Sequence, residues 1–406
     1  MENKRNLNAK HSAIKIGVVT LISLLLLIPL SMIEGVIGER EETKCIVENE
    51  VANSYAKAQE INAPVLKSCV MTKPATGSTS METSEHIIQC TKLDYNVEVI
   101  TDVLHRSIYN VIVYNSKIVI TGKLKVMEPA IKALFNTFNF SVSDFKGIDK
   151  LPQLSFGGKT YLLVKDNNTL TAKVELPENA KVGDFIDFSV AIDLKGTDYI
   201  SFQPIAQETT MTMKSSYPHP SFQGTFLPNH REVSDDGFVA KWSVLDMNVD
   251  STYETMCVKF VDPANPYQQS MRSAKYGMLI IVLVFVAGLF VEFFTRREIN
   301  MVQYAVIGLS LVLFYSLLVA FSEFISFGWA YIVATLMTII ALMLYFKAIL
   351  KNNSAYMLGG FVTMVYVVNY MLLQMETFAL LAGSLVLFIL LCVVMYLTSN
   401  KKFYRN

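Results

Sequence analysis

The sequence has little charge and no excess of either sign: 17% of its residues are charged, 35 basic against 35 acidic. Nucleic-acid binding needs a basic surface, and the composition supplies none. Cysteine is scarce, five in 406 residues, and no two stand in the C-x-x-C spacing of a redox or zinc site. Walker loops, dinucleotide fingerprints, G-x-S-x-G elbows and H-E-x-x-H helices are all missing. The chain therefore calls for no cofactor and reads as a non-enzyme.

What the sequence has in plenty is apolar surface, 52% of its residues, unevenly spread. The run IGVVTLISLLLLIPLSMI (Ile16–Ile33) carries no charge and is about as long as a bilayer crossing, roughly 17–25 residues. A signal peptide's apolar core is shorter, roughly 7–15 residues, and ends at small residues; here Met32, Ile33 and Glu34 follow. The run is predicted to be an uncleaved anchor, with Pro29 tolerated because neighbouring groups can satisfy the freed backbone. A second tract divides into five more spans: Tyr276–Phe294, Tyr304–Phe321, Gly328–Phe346, Tyr356–Met371 and Phe378–Leu397.

Lysine and arginine set the orientation, because they collect on the cytoplasmic side. With the N-terminus inside, Lys4, Arg5, Lys10, Lys15, Arg296, Arg297, Lys347, Lys351, Lys401, Lys402 and Arg405 all fall inside. The two short outer loops hold Glu323 and Glu376 and no cation. Both termini are predicted to be cytoplasmic. The domain boundaries read as 1–38 for the tail and first span, 39–273 for an extracytoplasmic domain, and 274–406 for a five-helix bundle.

The inserted domain has strand periodicity. Candidate strands are Ser116–Val126, Asp184–Gly196, Asp198–Ile205 after a turn centred on Gly196, Thr209–Ser216, Phe238–Val244 and Thr255–Val261. Val47–Gln59 reads as an amphipathic helix continuing from the membrane. The fold expected is a membrane protein of six transmembrane helices with a large, mainly antiparallel β domain between the first and second. Cys45, Cys69, Cys90 and Cys257 lie in that domain, and an oxidising compartment would allow three pairings or none.

The stretch SSYPHPSFQGTFLP (Ser215–Pro228) interrupts the strand pattern. Proline fixes φ and lacks a donor, so it belongs where a strand ends. The stretch is expected to be a stiff connection between strands, with His219 and His230 exposed. A metal site drawn from the two histidines matches no ligand spacing. Tyr217, Pro218, His219, Pro220, Phe222, Phe226, Pro228 and Arg231 form a candidate partner-facing motif; the alternative is that its aromatics plug the domain's own core. Within the spans, Glu292 and Arg296 stand at i, i+4, a favourable helical pair. Asn369, Ser310, Ser316 and Thr338 could hydrogen-bond between helices. Gly308, Gly359, Gly360 and Gly383 suit close helix contact rather than a pore lining.

The segment Ser215–Trp242 resembles the signature of the CreD family of bacterial inner-membrane proteins, a W/Y-PHPSF-G-FLP-REVS-GF-A-W run. The likeness continues through Ser273–Ala334, where KY, VEFF, VQY, IGLSLVLFY and SEF fall in order, and includes LLLIPL (Leu25–Leu30) and Ile37–Arg40. It is weakest over Val65–Asn179, where APVL (Ala63–Leu66) replaces a usual G-P-L stretch. The resemblance implies a multi-pass inner-membrane protein of envelope integrity, linked in parts of the family to a two-component regulon, tolerance of E-group colicins and altered β-lactam susceptibility. It brings no catalytic residues. The expected partners are the lipid bilayer and an envelope protein or cell-wall component. A transporter or lipid-handling role for the bundle is the second reading, and a metal-dependent hydrolase on His219 and His230 the third.

Overall fold

A computed structural model describes residues 2–72, 82–251, 253–262, 265–295, 299–350 and 354–374, together with positions 384, 385, 388, 392 and 395. The chain forms two compact units: Met1–Thr43 with Ala264–Asn406, and Lys44–Pro263.

Two helices begin the chain, α1 (Glu2–Leu25) and α2 (Leu27–Ser54). The interruption at Leu26 has a local cause: Pro29 has no N–H to give the Leu25 carbonyl four residues back. Bonds from Leu26 N to Ile22 O and Leu30 N to Leu26 O carry the helical path across it. The predicted helix over Val47–Gln59 stops at Ser54 because Gln59 opens a strand. There its buried amide donates to the Asp144 and Lys195 carbonyls, both at 2.9 Å.

The strands of the second unit are β1 (Gln59–Ile61), β2 (Val65–Thr72), β3 (Glu82–Arg106) and β4 (Tyr109–Lys125), then helix α3 (Glu128–Lys132) and β5 (Phe135–Phe140). Next come β6 (Gln153–Phe156), β7 (Lys159–Leu162), β8 (Val164–Asp166), β9 (Thr169–Val174), β10 (Phe185–Thr197) and β11 (Tyr199–Phe202). The last are β12 (Ala206–Ser215), β13 (Pro220–Gly224), β14 (His230–Ser234), β15 (Gly237–Leu245) and β16 (Met256–Phe260). They form a 12-stranded sheet and a 4-stranded one ordered β1-β11-β16-β13. All six candidate strands are present.

Strand β3 organises the large sheet. It pairs with β2 along Glu82–Gln89, and from Cys90 to Val99 it is flanked by β4 on one edge and β12 on the other. The β3–β4 ladder has a bulge between Cys90 and Lys92, the local bend and added twist that an extra residue produces. Pairing is antiparallel except for β1 with β11 and β12 with β3. Alternation sets the core: Ile186, Phe188, Val190, Ile192 and Leu194 of β10 point inward while Asp187, Ala191 and Asp193 are exposed. Phe138 meets Phe156 and Phe188 edge to face. Gly196 is not a turn residue. It lies within β10, where the Tyr114 hydroxyl would stand 2.3 Å from any Cβ; the turn falls at Asp198, with φ 63°.

The first unit continues with α4 (Pro266–Lys275), α5 (Gly277–Thr295), α6 (Met301–Ser322), α7 (Phe327–Leu350) and α8 (Ser354–Gln374). Among the described residues four helices are long and apolar enough to cross a membrane, or five if the pair α4–α5, bent by 42°, is one span. The second predicted span is therefore the longer arm of a bent pair. The sixth, Phe378–Leu397, lies outside the described residues apart from the five positions named above. Gly308 faces Leu26 and Phe285, and Gly359 faces Met343, at distances that leave no room for a Cβ. Close helix contact is thus the use of these two, whereas a Cβ on Gly360 would meet nothing within 4 Å, and Gly383 lies outside the described residues.

Candidate functional site

The proline-rich motif crosses between the two sheets and back. Strand β12 leaves the large sheet at Ser215, β13 joins the small sheet beside β16, and β14 and β15 return to the large one. The stretch is thus more than the connection expected from its prolines, since it contains a strand of its own. Pro220 is tolerated because it is the first residue of an edge strand, where no partner needs its N–H. Tyr217 donates to the Val261 carbonyl at 2.6 Å and meets Phe260 edge to face. Burial, reinforced by Asp262, pushes its phenol up to about 12, so Tyr217 serves as a neutral donor.

Phe222 stands edge-on to Phe238 and Trp242, and the Trp242 indole donates to the Phe226 carbonyl at 3.1 Å. The Arg231 guanidinium lies 5.9 Å from the Phe222 ring centre, within cation–π reach. Tyr217, Phe222 and Phe226 pack half-buried against the domain core. Pro218, Pro220 and Pro228 are half-buried as well, while His219 and His230 are exposed. No group of three or more metal-ligating residues occurs among the described residues.

Strand β14 differs from the rest of the motif. His230, Arg231, Glu232, Val233 and Ser234 are all exposed, and the strand pairs only with β15 among the described strands. Gly237 closes the hairpin at φ 131°, where a Cβ would stand 2.1 Å from the Ser215 carbonyl. Beside β14 lies a groove of about 490 Å³, lined by Glu98, Ile100, Lys214, Glu232 and Val233 among others. Register makes Glu98, Lys214, Val239 and Glu232 a ladder across four strands. Sequence periodicity could not show this, because it is blind to which strands become neighbours.

The polar groups of the spans find partners on other helices in some cases and on their own helix in others. Glu292 pairs with Lys15 of α1 at 2.9 Å and accepts from the Ile299 N–H; Arg296 lies outside the described residues. At the other end of the bundle Arg40 approaches Glu323 at 3.6 Å, and Tyr267 bonds the same carboxylate. Lys15 and Arg40 are 25 positions apart, about 37 Å along a helix at about 1.5 Å per residue. That distance is between a bilayer's hydrocarbon core and its full thickness, roughly 30 and 45 Å. Asn369 donates to Tyr331 at 3.1 Å and Ser273 at 3.4 Å on neighbouring helices. Ser310 and Thr338 instead bond carbonyls one turn back on their own helices, the local alternative open to any helical hydroxyl.

The five cysteines are free thiols. Burial pushes Cys90 up to about 12, and burial with Asp198 and Glu60 nearby pushes Cys257 to about 11.

Against this geometry, a family model described as inner membrane protein CreD matches residues 11–404. The inner membrane protein CreD of Escherichia coli (strain K12) is 31% identical over 414 residues, covering 94% of this chain and 91% of its own length. Among solved structures, the E323A mutant of an M1 zinc metallopeptidase from Deinococcus radiodurans covers 42% of this chain and 42% of its own, at 9% identity and a TM-score of 0.25. The same mutant bound to a Tyr-ser-ala substrate covers 46% and 53%, at 8% identity and a TM-score of 0.24. This chain spans about half or less of those peptidases, and likeness at that level carries no argument about fold or activity.

Proposed function

The chain belongs to the CreD family of inner membrane proteins, and from that premise we propose a non-enzymatic role in cell-envelope integrity, with the β domain on the outer face binding an envelope protein or cell-wall component. Both termini are then cytoplasmic, as the distribution of lysine and arginine favours. One observation carries the reading: β14 is exposed along its whole length and paired on one side only among the described strands. The motif's aromatics are used up in the core, whereas Arg231, Glu232 and Val233 leave an open sheet edge beside a groove. An open edge offers main-chain hydrogen bonds to an extended segment, and alternate side chains supply selectivity.

The experiment is rescue of an envelope defect in cells lacking the protein. Val233→Pro removes one main-chain donor and Glu232→Lys reverses a charge on the groove. Both are expected to abolish rescue at normal protein level and fold. Full rescue by both would contradict the reading.

A further inference from the structure

The open edge of β14 has a register and a charge pattern, and together they narrow the kind of chain that can pair with it. Antiparallel pairing alternates residues that bond across the ladder with residues that do not. Carried from the two-residue turn Ser107–Ile108 across β3, β12 and β15, that alternation makes His230, Glu232 and Ser234 bond β15. The Asn229 N–H reaches the Lys241 carbonyl at 2.8 Å, as it does where a bulge flanks a bonded His230–Lys241 pair. The N–H and C=O of Arg231 and Val233 therefore point out of the sheet, where no described strand takes them.

Side chains alternate between the two faces of the strand. Those of Arg231 and Val233 share the face of buried Phe238 and Ala240, where the Arg231 guanidinium meets Phe222. The Glu232 side chain stands on the other face with Lys214 and Glu98, and all three line the groove. The groove carries three carboxylates, Glu98, Glu232 and Asp236, against one ammonium, Lys214, so it favours a cation. A strand added to β14 bonds at Arg231 and Val233. Its intervening residue then stands opposite Glu232 in a non-hydrogen-bonded pair, where side chains come closest. A lysine or arginine there extends the ladder Glu98, Lys214, Val239, Glu232 by a rung of opposite sign.

A second copy of this chain does not meet that demand. Two β14 strands related by a two-fold axis bring Glu232 against Glu232, His230 or Ser234, and never against Arg231. The first register opposes two glutamates, the second opposes two arginines, and the third overlaps only Glu232, Val233 and Ser234. On the docking role proposed for β14 rests a narrower reading. We infer that its partner is an extended segment of another protein, paired antiparallel with β14, that reads aliphatic, Lys or Arg, acidic. The aliphatic residue lies opposite Val233, the cation opposite Glu232 and the acid opposite Arg231. Main-chain bonds hold the segment, and the charge pairs select it.

The test uses the full-length protein in nanodiscs and two fluorescent peptides, Thr-Thr-Val-Lys-Glu-Thr-Thr and the same peptide with Glu in place of Lys. Anisotropy is expected to show the Lys peptide binding about fivefold more tightly, the worth of one good cross-strand charge pair. Glu232→Lys, at an exposed position and with its thermal midpoint checked, should invert the preference. Val233→Pro keeps the charges and removes a main-chain donor, so it should weaken both peptides together. Equal binding of the two peptides would overturn the proposal. So would the absence of saturable binding of the Lys peptide up to about 1 mM, whether or not a soluble muropeptide binds. A dimer of the unaltered protein that Val233→Pro dissociates would also overturn it, in favour of a second copy. Rescue in cells tells the two readings apart. Rescue lost on Val233→Pro without any peptide preference keeps β14 as a docking edge and removes the cationic strand; rescue that survives Val233→Pro removes both.

Discussion

Tyr217 ties the proline-rich crossing to the strand that follows it, and its titration gives a direct readout of that tie. Its folded-state value of about 12 lies above the ordinary 10. The contribution to stability is therefore complete below pH 10 and is lost as pH rises through about 12, because the unfolded chain ionises first. Tyr199, pushed to about 12 by burial and its bond to Glu60, acts in the same window and sense. Tyr217→Phe is expected to flatten the fall in thermal midpoint between pH 10 and 12; an unchanged slope would remove Tyr217 as a cause. Thiol reactivity is a second check at this scale. At pH 8, maleimide should label exposed Cys45 within minutes and leave Cys90 and Cys257 unlabelled until the protein unfolds, since the thiolate is the reactive form. Rapid labelling of Cys90 would mean that β3 opens readily. The sequence could name these residues but not their surroundings: Tyr217 and Val261 are brought together only by the pairing of β13 with β16.

Hairpin β14–β15 depends on one backbone conformation. Gly237→Ala would force a side chain into the Ser215 carbonyl at a φ that L residues avoid. A loss of about 2 kcal/mol or more is expected in denaturant unfolding of the detergent-purified protein; a loss below about 0.5 kcal/mol would show that the hairpin relaxes. In the bundle, the corresponding joint is Lys15 with Glu292. Glu292→Ala strands a half-buried ammonium and should cost on the order of 2 kcal/mol, with Lys15→Ala added in the double variant recovering part of it. Strict additivity of the two changes would mean that the pair contributes nothing. Spacing along the helix points to Arg296 for Glu292, and Arg296 lies outside the described residues. The added partner, Lys15, was not legible, because a cation placed 277 positions away enters sequence reasoning only as a topology signal. Element type was more legible: Ile186, Phe188 and Val190 alternate visibly, and the apolar runs declare α6 and α7 at once. The long β3 was not, since its polar and apolar residues serve three different neighbouring strands along one length.

At the scale of the whole molecule, the chain divides its tasks by composition. Apolar segments make one unit, and a segment of ordinary soluble composition makes the other. The ion pairs of Lys15 on α1 and Arg40 on α2 are spaced to suit a bilayer, which fits an inner-membrane family. The central claim is that the β domain carries the function. It is tested most directly by expressing residues 1–274, one anchor and the β domain, in cells that lack the protein and show an envelope defect. With the fragment shown by protease protection to be present and folded, the account predicts restored resistance to envelope stress, lost again on Val233→Pro. Failure of the folded fragment to restore resistance, where the full chain succeeds, would contradict the claim and place the function in the helical bundle.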